Sequence, residues 1–190
     1  DVALKVIEQG VEYSDGISIE SRALGRLQHP NIARVYEAGV GALRTSDGDT
    51  QRVPIVAMEY VEGRNLKDII REGPLSRERV TEVNYRLAQA IEHAHRRGVI
   101  HRDLKPANVI ITDDDTPYLI DFGIGILTSA SGEQQQDATR SGGTVAYMPP
   151  EQLLGQIDRI DTRADVYALG AVAYEAALGE RLNPSAGSID

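Results

Sequence analysis

The chain has 190 residues with a formal net charge of −9, and it contains no cysteine. This length allows one domain with a sizeable core, and the lack of cysteine excludes disulfides, thiolate catalysis and Cys-ligated zinc. The acidic balance argues against a surface for nucleic acid or anionic membranes. We therefore expect no nucleic-acid partner. The longest uncharged apolar run, 166–174, is too short to cross a bilayer, so we also expect no membrane contact by this segment.

The first residues predict a strand that contains a lysine. Residues Val2 to Ile7 are rich in β-forming side chains and predict a buried strand around Lys5. An unpaired ammonium is costly to bury, so Lys5 either lies at an edge with its charge in solvent or has a chemical role. Residues 13–28 then include a helical segment, because apolar side chains recur every four positions from Ile19 to Leu27.

Two further strands are predicted over residues 32–40 and 52–60. Between them, Asp47-Gly48 is a hairpin signal. A short helix is predicted after the second strand, and Asn65 stands where a helix cap is expected.

A longer helix is predicted from Ser76, which fits an N-cap, to Gly98, which stands where helices commonly end. Its apolar residues form one stripe at spacings of three and four: Val80, Val83, Leu87, Ile91 and Ala94. This pattern is typical of a scaffold helix. His93 and His95 are two positions apart and face different sides, so we assign them no chemistry.

The stretch from His101 to Ile111 carries the strongest chemical signal in the chain. It places a carboxylate, an ammonium and an amide on one short loop before an apolar, strand-like run: Asp103, Lys105 and Asn108. A second apolar run ends just before Asp121. If the two runs form a β-hairpin, Asp103, Asn108 and Asp121 would lie close together at one end of it. Carboxylate and amide oxygens suit Mg²⁺, and a carboxylate beside that ion suits acceptance of a hydroxyl proton during phosphoryl transfer.

The last part of the chain combines a long polar loop with an apolar helix. Residues 124–147 are rich in Ser, Thr, Gly and Gln without periodicity, and so long a loop is usually functional or disordered. A strongly apolar helix is predicted from Asp161 to Leu178. Asp165 lies near its start, where a carboxylate suits unsatisfied backbone donors.

Two sequence motifs, in this order, resemble the catalytic core of eukaryotic-type serine/threonine protein kinases: His101-Arg102-Asp103-Leu104-Lys105-Pro106-Ala107-Asn108 and Asp121-Phe122-Gly123. The residues in these motifs are similar to those of bacterial members of the family. The resemblance implies an α+β, two-lobed protein-kinase-like fold in truncated form. Residues 1–61 would form an incomplete, small, β-rich N-lobe, and residues 62–190 a partial helical C-lobe. The family's glycine-rich phosphate loop would precede Lys5, so we expect this chain to be a fragment of a cytoplasmic kinase domain.

The resemblance also assigns roles to individual residues. It implies the following catalytic residues: Lys5, Glu20, Asp103, Lys105, Asn108, Asp121 and Thr144. It implies the following ATP-binding residues: Ala3, Lys5, Met58, Glu59, Val61, Asn65, Ile110 and Asp121. Asn108 and Asp121 would bind Mg²⁺, Glu20 would orient Lys5 towards the phosphates, and Met58 would be the gatekeeper of the adenine pocket. For Asn65 a helix cap is favoured over a ribose contact.

The resemblance implies regulation by phosphorylation as well. Arg102 would receive a phosphate from the activation segment, at Thr139 or Ser141 in preference to Thr128, Ser129 and Ser131. His101, Leu24, Val35 and Phe122 would form the stack of side chains that links the lobes.

The predicted activity is transfer of the γ-phosphoryl group of ATP to serine or threonine hydroxyls of protein substrates, with autophosphorylation on the activation segment. In the isolated fragment we expect little turnover. The alternative is a pseudokinase or scaffold module that binds nucleotide without turnover, and it predicts a gap in the catalytic set that the sequence does not show.

Overall fold

The computed structural model describes residues 1–6, 25, 27–44, 47–122 and 145–183. Several predicted features therefore lie outside the described residues: most of the helical segment at 13–28 with Glu20 and Leu24, Gly123, the candidate phosphorylation sites, and Thr144. The roles predicted for them stay predictions.

The first sheet has three antiparallel strands in the order β1-β3-β2: β1 Val2–Val6, β2 Val35–Arg44 and β3 Thr50–Glu59. The predicted hairpin of β2 and β3 is confirmed, although both strands are longer near the turn than expected. The prediction that the first strand is buried is wrong. In β1, Ala3 and Lys5 are half-buried, whereas the side chains that alternate with them are exposed: Val2, Leu4 and Val6. Successive side chains of a strand point to opposite faces of the sheet, and only one face is covered at β1.

The second sheet is smaller and antiparallel, in the order β4-β5-β6: β4 Arg64–Asn65, β5 Val109–Ile111 and β6 Pro117–Leu119. The hairpin of β5 and β6 is the one predicted from the two apolar runs, with Val109 opposite Leu119. It extends by one hydrogen bond, since the amide of Ile120 donates to the carbonyl of Asn108 at 3.0 Å. Asn108 and Asp121 therefore lie at the same end of this hairpin.

The described helices are α1 Leu66–Glu72, α2 Arg77–His95, α3 Pro150–Leu153 and α4 Arg163–Leu178. The sequence predicted α1, α2 and α4 in this order, and it did not predict the short helix α3. Short 3-10 helices cover Pro106–Asn108, Val145–Tyr147 and Ile157–Arg159. Two predicted caps are confirmed. Asn65 Oδ1 accepts from the amide of Lys67 at 2.9 Å, and Ser76 Oγ accepts from the amide of Arg79 at 3.2 Å.

The core lies mainly between α2, α4 and β6. The buried face of α2 contains the predicted stripe, with Leu87 fully buried and Val80 half-buried at its start. Burial of a leucine side chain contributes roughly 1.5–3 kcal/mol. The facing side of α4 is built from small residues, which lets the two helices approach closely: Ala164, Ala168, Ala171, Val172 and Ala176. None of the described helices is long and apolar enough to span a membrane.

The segment before β2 connects the two sheets. Ile32 forms an isolated parallel bridge with Leu119 of β6. The amide of Leu119 donates to the carbonyl of Asn31, and the amide of Ala33 donates to the carbonyl of Leu119, both at 2.9 Å. The buried side chain of Asn31 adds a third bond, from Nδ2 to the carbonyl of Pro117 at 2.8 Å. The first sheet is thus fixed directly to the hairpin that ends in Asp121.

Candidate active site

A buried carboxylate on α4 holds the backbone of the loop that contains Asp103. Asp165 lies in the first turn of α4 and its residue is 1% exposed. Its two oxygens accept from the amide of His101 at 2.8 Å and the amide of Arg102 at 2.9 Å. These bonds confirm the prediction that an acid at the start of this helix meets backbone donors, and the donors belong to the catalytic-loop candidate.

His95 is a residue that sequence reasoning missed. Its Nε2 donates to Asp165 at 2.7 Å, so it supplies a third hydrogen bond to the same carboxylate. Burial alone would raise the pKa of Asp165, but the bonds from His95 and from the two loop amides outweigh it, and the pKa is lowered. One signal was present in the sequence: His95 lies four positions after Ile91 and thus continues the buried stripe of α2.

Asp103 lies between an ammonium and an amide of the same loop. Lys105 Nζ is 2.8 Å from one carboxylate oxygen of Asp103 and 3.0 Å from the other. Asn108 Nδ2 donates to the carboxylate of Asp103 at 3.1 Å and to its backbone carbonyl at 2.8 Å. The Asp103 side chain keeps 34% of its surface exposed. A carboxylate held in this way is fixed in position yet still open to an incoming hydroxyl group.

Lys5 and Asp121 meet across the cleft between the two sheets. Lys5 Nζ is 2.8 Å from Asp121 Oδ2, with 39% and 18% of the two side chains exposed. Asp121 has a left-handed backbone with φ of 64°, which is unusual for a residue with a side chain. The partner predicted for Lys5, Glu20, lies outside the described residues. The contact with Asp121 was not anticipated from the sequence, and it shows that Lys5 faces the cleft and not solvent alone.

Asn108 and Asp121 form a donor set that suits a hard cation. They lie at one end of the β5–β6 hairpin, where Ile120 is bonded to the carbonyl of Asn108. Because Asn108 Nδ2 points towards Asp103, its Oδ1 is the amide atom left for a cation, and Asp121 adds carboxylate oxygens. An amide oxygen and a carboxylate fit Mg²⁺, which usually keeps several oxygens from water and phosphate. In the described part of the chain no three His, Cys, Asp or Glu residues are grouped tightly enough to hold a metal without such help.

The residues predicted to enclose adenine are distributed over both sheets and the connection between them. Ala3 of β1 and Val35 of β2 both pair with Met58 of β3, which is buried. Ile110 of β5 is half-buried and is paired with Asn65.

At the end of β3, the amide of Glu59 donates to the carbonyl of Arg34 at 2.8 Å. A nucleotide contact at Glu59 would therefore use its carbonyl group. Val61 follows in the connection to β4 and is half-buried. Asn65 uses both ends of its amide, since Nδ2 also donates to the carbonyl of Ala107 at 2.6 Å. Its contacts support the cap interpretation and tie α1 to the catalytic loop.

His101 and Phe122 form part of the predicted stack. Their ring centroids are 4.6 Å apart, both residues are buried, and Val35 is buried as well. Burial lowers the pKa of His101, so the ring is neutral. Its Nδ1 accepts from the amide of Asp103 at 3.3 Å, which leaves Nε2 to donate to the carbonyl of Ile120 at 3.3 Å. His101 thus connects the backbones beside Asp103 and Asp121, the two acids of the site.

The chain is similar to several known proteins. The family described as "Protein kinase domain" matches residues 1–189. The serine/threonine-protein kinase PknB of Mycobacterium tuberculosis is 36% identical over 95% of this chain and 28% of its own length. PknB of Mycobacterium leprae is 37% identical over the same 95% and 28%.

Among solved structures, Rad53 1-466 in complex with AMP-PNP matches with a TM-score of 0.69 and 26% identity, over 95% of this chain and 42% of that one. The chain spans between 23% and 28% of the length of the curated relatives it matches.

Proposed function

The chain belongs to the protein kinase domain family, and on that premise we propose that the protein containing it transfers the γ-phosphoryl group of ATP to serine and threonine hydroxyls of protein substrates. The observation that carries this proposal is the arrangement of three separate segments around one cleft. Asp103 is held by Lys105 and Asn108, while Lys5 reaches Asp121 from the other sheet. A chance occurrence of the two sequence strings would not produce these contacts.

In the proposed mechanism, Asp103 orients the acceptor hydroxyl and takes its proton as the phosphoryl group is transferred. Lys105 is placed to neutralise charge near Asp103, and Lys5 is placed to bind phosphate oxygens of the nucleotide. Asn108 Oδ1 and Asp121 would hold Mg²⁺, which supplies charge neutralisation of the phosphates when it is bound. Ala3, Met58 and Ile110 would enclose adenine, with backbone contacts at Glu59 and Val61.

The substrate class is supported by the relatives. Those reported above are named serine/threonine-protein kinases, and the structural neighbour was solved with AMP-PNP, an ATP analogue. We extend both the acceptor type and the nucleotide to this chain as parts of the proposal. Glu20 as the partner of Lys5 and Thr144 as a contact of the acceptor belong to the same proposal.

Regulation by phosphorylation is supported by Arg102. Its Nε is buried and has no hydrogen-bond partner among the residues that the structure describes. A buried guanidinium nitrogen without an acceptor is costly, and a phosphate group would satisfy it with a charge-assisted bond. We propose Thr139 or Ser141 as the source of that phosphate, through autophosphorylation.

The proposal is tested on the full-length protein with Mg²⁺ and γ-labelled ATP, a generic acceptor protein and the Asp103→Asn variant as a control. We expect labelled phosphoserine or phosphothreonine with the wild type and a loss of label with the variant. Binding of nucleotide without any transfer by the wild type would favour the pseudokinase alternative and overturn the proposed activity.

A further inference from the structure

We propose that Gln152 is a positioning residue that sets the orientation of the catalytic carboxylate of Asp103. Gln152 lies on α3, and its Nε2 donates to the carbonyl of Arg102 at 3.1 Å. That carbonyl belongs to the peptide unit immediately before Asp103. This inference rests on the proposed kinase function and adds a residue to its machinery.

The peptide unit between Arg102 and Asp103 is held from both sides. Its carbonyl accepts from Gln152, and its N–H donates to Nδ1 of His101 at 3.3 Å. The preceding peptide unit is held as well, because the amide of Arg102 donates to Asp165. Rotation of the 102–103 peptide plane would turn the Cα–Cβ bond of Asp103 and move its carboxylate. Gln152 is the side chain that opposes this rotation at the carbonyl end.

The backbone of Arg102 needs such support. Its φ of 62° lies in the left-handed region, which is unfavourable for a residue with a side chain. A conformation of this kind persists only where surrounding contacts fix it. Asp165 fixes the amide side of Arg102, and Gln152 fixes its carbonyl side. Without the second contact, the loop can relax away from the geometry that places Asp103.

The hydrogen bond from Gln152 also couples the position of α3 to that of Asp103. α3 begins at Pro150, directly after the segment that contains Tyr147 and Met148, both buried. The helix is short, and the amides of Gln152 and Leu153 donate to the carbonyl of Pro149 at 3.0 and 3.1 Å. Gln152 therefore couples the backbone of α3 to the residue before Asp103. A displacement of α3 would be passed to the catalytic carboxylate through one hydrogen bond.

The experiment compares three variants of the full-length kinase. Gln152→Glu keeps the shape but has no donor when ionised, and its carboxylate repels the Arg102 carbonyl. Gln152→Met removes the donor without adding charge. Gln156→Glu is the matched control, because Gln156 accepts from Arg159 through its oxygen, which a glutamate retains. Measured quantities are kcat, the KM for ATP, the melting temperature, and the pH dependence of kcat relative to wild type.

We expect kcat to fall about 10- to 100-fold for Gln152→Glu and less for Gln152→Met, because small displacements of a catalytic group have effects of this size. The KM for ATP and the melting temperature should change little, and Gln156→Glu should resemble the wild type. The kcat of Gln152→Glu relative to wild type should rise as the pH is lowered, since a protonated glutamate regains the donor.

A kcat of Gln152→Glu within twofold of wild type would overturn the inference. Losses that track the melting temperature and show no pH-dependent recovery would do so too, because they would indicate a purely structural role. A wild type that binds ATP but transfers nothing would overturn the proposed function itself, and this inference with it.

Discussion

The ammonium of Lys5 lies 2.8 Å from the carboxylate of Asp121, although Lys5 belongs to the first strand and Asp121 follows the sixth. The contact spans the cleft between the two sheets. It places one cation and one anion in the cleft. In the proposed function, Lys5 would bind phosphates of the nucleotide and Asp121 the attached metal ion.

Substitution Lys5→Met should weaken nucleotide binding by about tenfold or more, because it removes a cation from the phosphate site and leaves Asp121 unneutralised. Binding of a fluorescent ATP analogue to the full-length protein measures this. The control is Lys67→Met, since Lys67 lies in the first turn of α1 and not on a strand of either sheet. Equal affinities for the two variants would contradict the role given to Lys5.

Substitution Asp103→Asn should lower kcat by two orders of magnitude or more and leave ATP affinity nearly intact, because the amide cannot accept the hydroxyl proton. Steady-state kinetics with varied ATP separate the two effects. Asp113→Asn, in the exposed turn between β5 and β6, is the matched control and should be silent. A comparable loss of nucleotide binding in Asp103→Asn would mean that Asp103 serves the nucleotide site instead.

Substitution Asp121→Asn should reduce the dependence of ATP binding on Mg²⁺, because it removes the carboxylate of the predicted metal pair. The amide retains one oxygen, so a weakened response is expected in place of a complete loss. Titration of Mg²⁺ at fixed ATP measures the shift. An unchanged Mg²⁺ response would show that the ion is held elsewhere.

Stability should fall on acidification through two groups, His101 below its ordinary pKa of 6.5 and Asp165 below its ordinary pKa of 3.8. The pKa of His101 is lowered by burial, so the unfolded chain binds a proton below its ordinary value of 6.5 while the folded chain resists it. The pKa of Asp165 is also lowered in the folded state, despite the opposing effect of burial, because of its hydrogen bonds. Its contribution is complete above the ordinary value of 3.8 and is lost as the pH falls through the folded pKa.

Chemical denaturation from pH 8 to pH 3 tests this expectation. The Asp165→Asn variant should be less stable than the wild type at neutral pH, because an amide is a poorer acceptor for three donors. Its further loss of stability in the most acidic range should be smaller, because it has no carboxylate to protonate. Asp158→Asn, which is exposed, serves as the control. Identical acid profiles for wild type and Asp165→Asn would contradict the assignment.

Substitution Gly63→Ala should destabilise the protein by about 1–3 kcal/mol, a typical cost of overpacking. A Cβ atom at Gly63 would lie 2.4 Å from the carbonyl oxygen of Ile111, and backbone at that distance has to move. At Gly39 an added Cβ meets no atom within 4 Å, so Gly39→Ala should be nearly neutral. Thermal unfolding of both variants measures the difference, and equal melting temperatures would contradict the close approach.

The features that sequence reasoning predicted well are local. The caps at Asn65 and Ser76 and the turn glycine at Gly98 depend on residues a few positions apart, so their signals are complete in the sequence. The hairpin of β5 and β6 follows in the same way, because both strands are adjacent in the chain. The contacts of Asp103 with Lys105 and Asn108 are likewise confined to one loop.

The features that sequence reasoning missed join distant segments. The bond from His95 to Asp165 depends on how α2 and α4 pack, and the bond from Gln152 to Arg102 depends on where α3 lies. The positions of these residues in the sequence do not show which of them form hydrogen bonds with each other. The prediction that β1 is buried was wrong for a related reason. The composition of a segment indicates that it forms a strand, but not how many faces of that strand are covered.

The two sheets are joined by the chain between Glu59 and Arg64 and by the hydrogen bonds that Asn31 and Ala33 make with β6. The ion pair of Lys5 with Asp121 joins the same two parts of the chain through side chains alone, at 2.8 Å, whereas the bonds at Leu119 are between backbone groups. A partly exposed ion pair is weaker than a set of buried backbone hydrogen bonds. If the two sheets move relative to each other, the distance from Lys5 to Asp121 should therefore change before the bonds at Leu119 break.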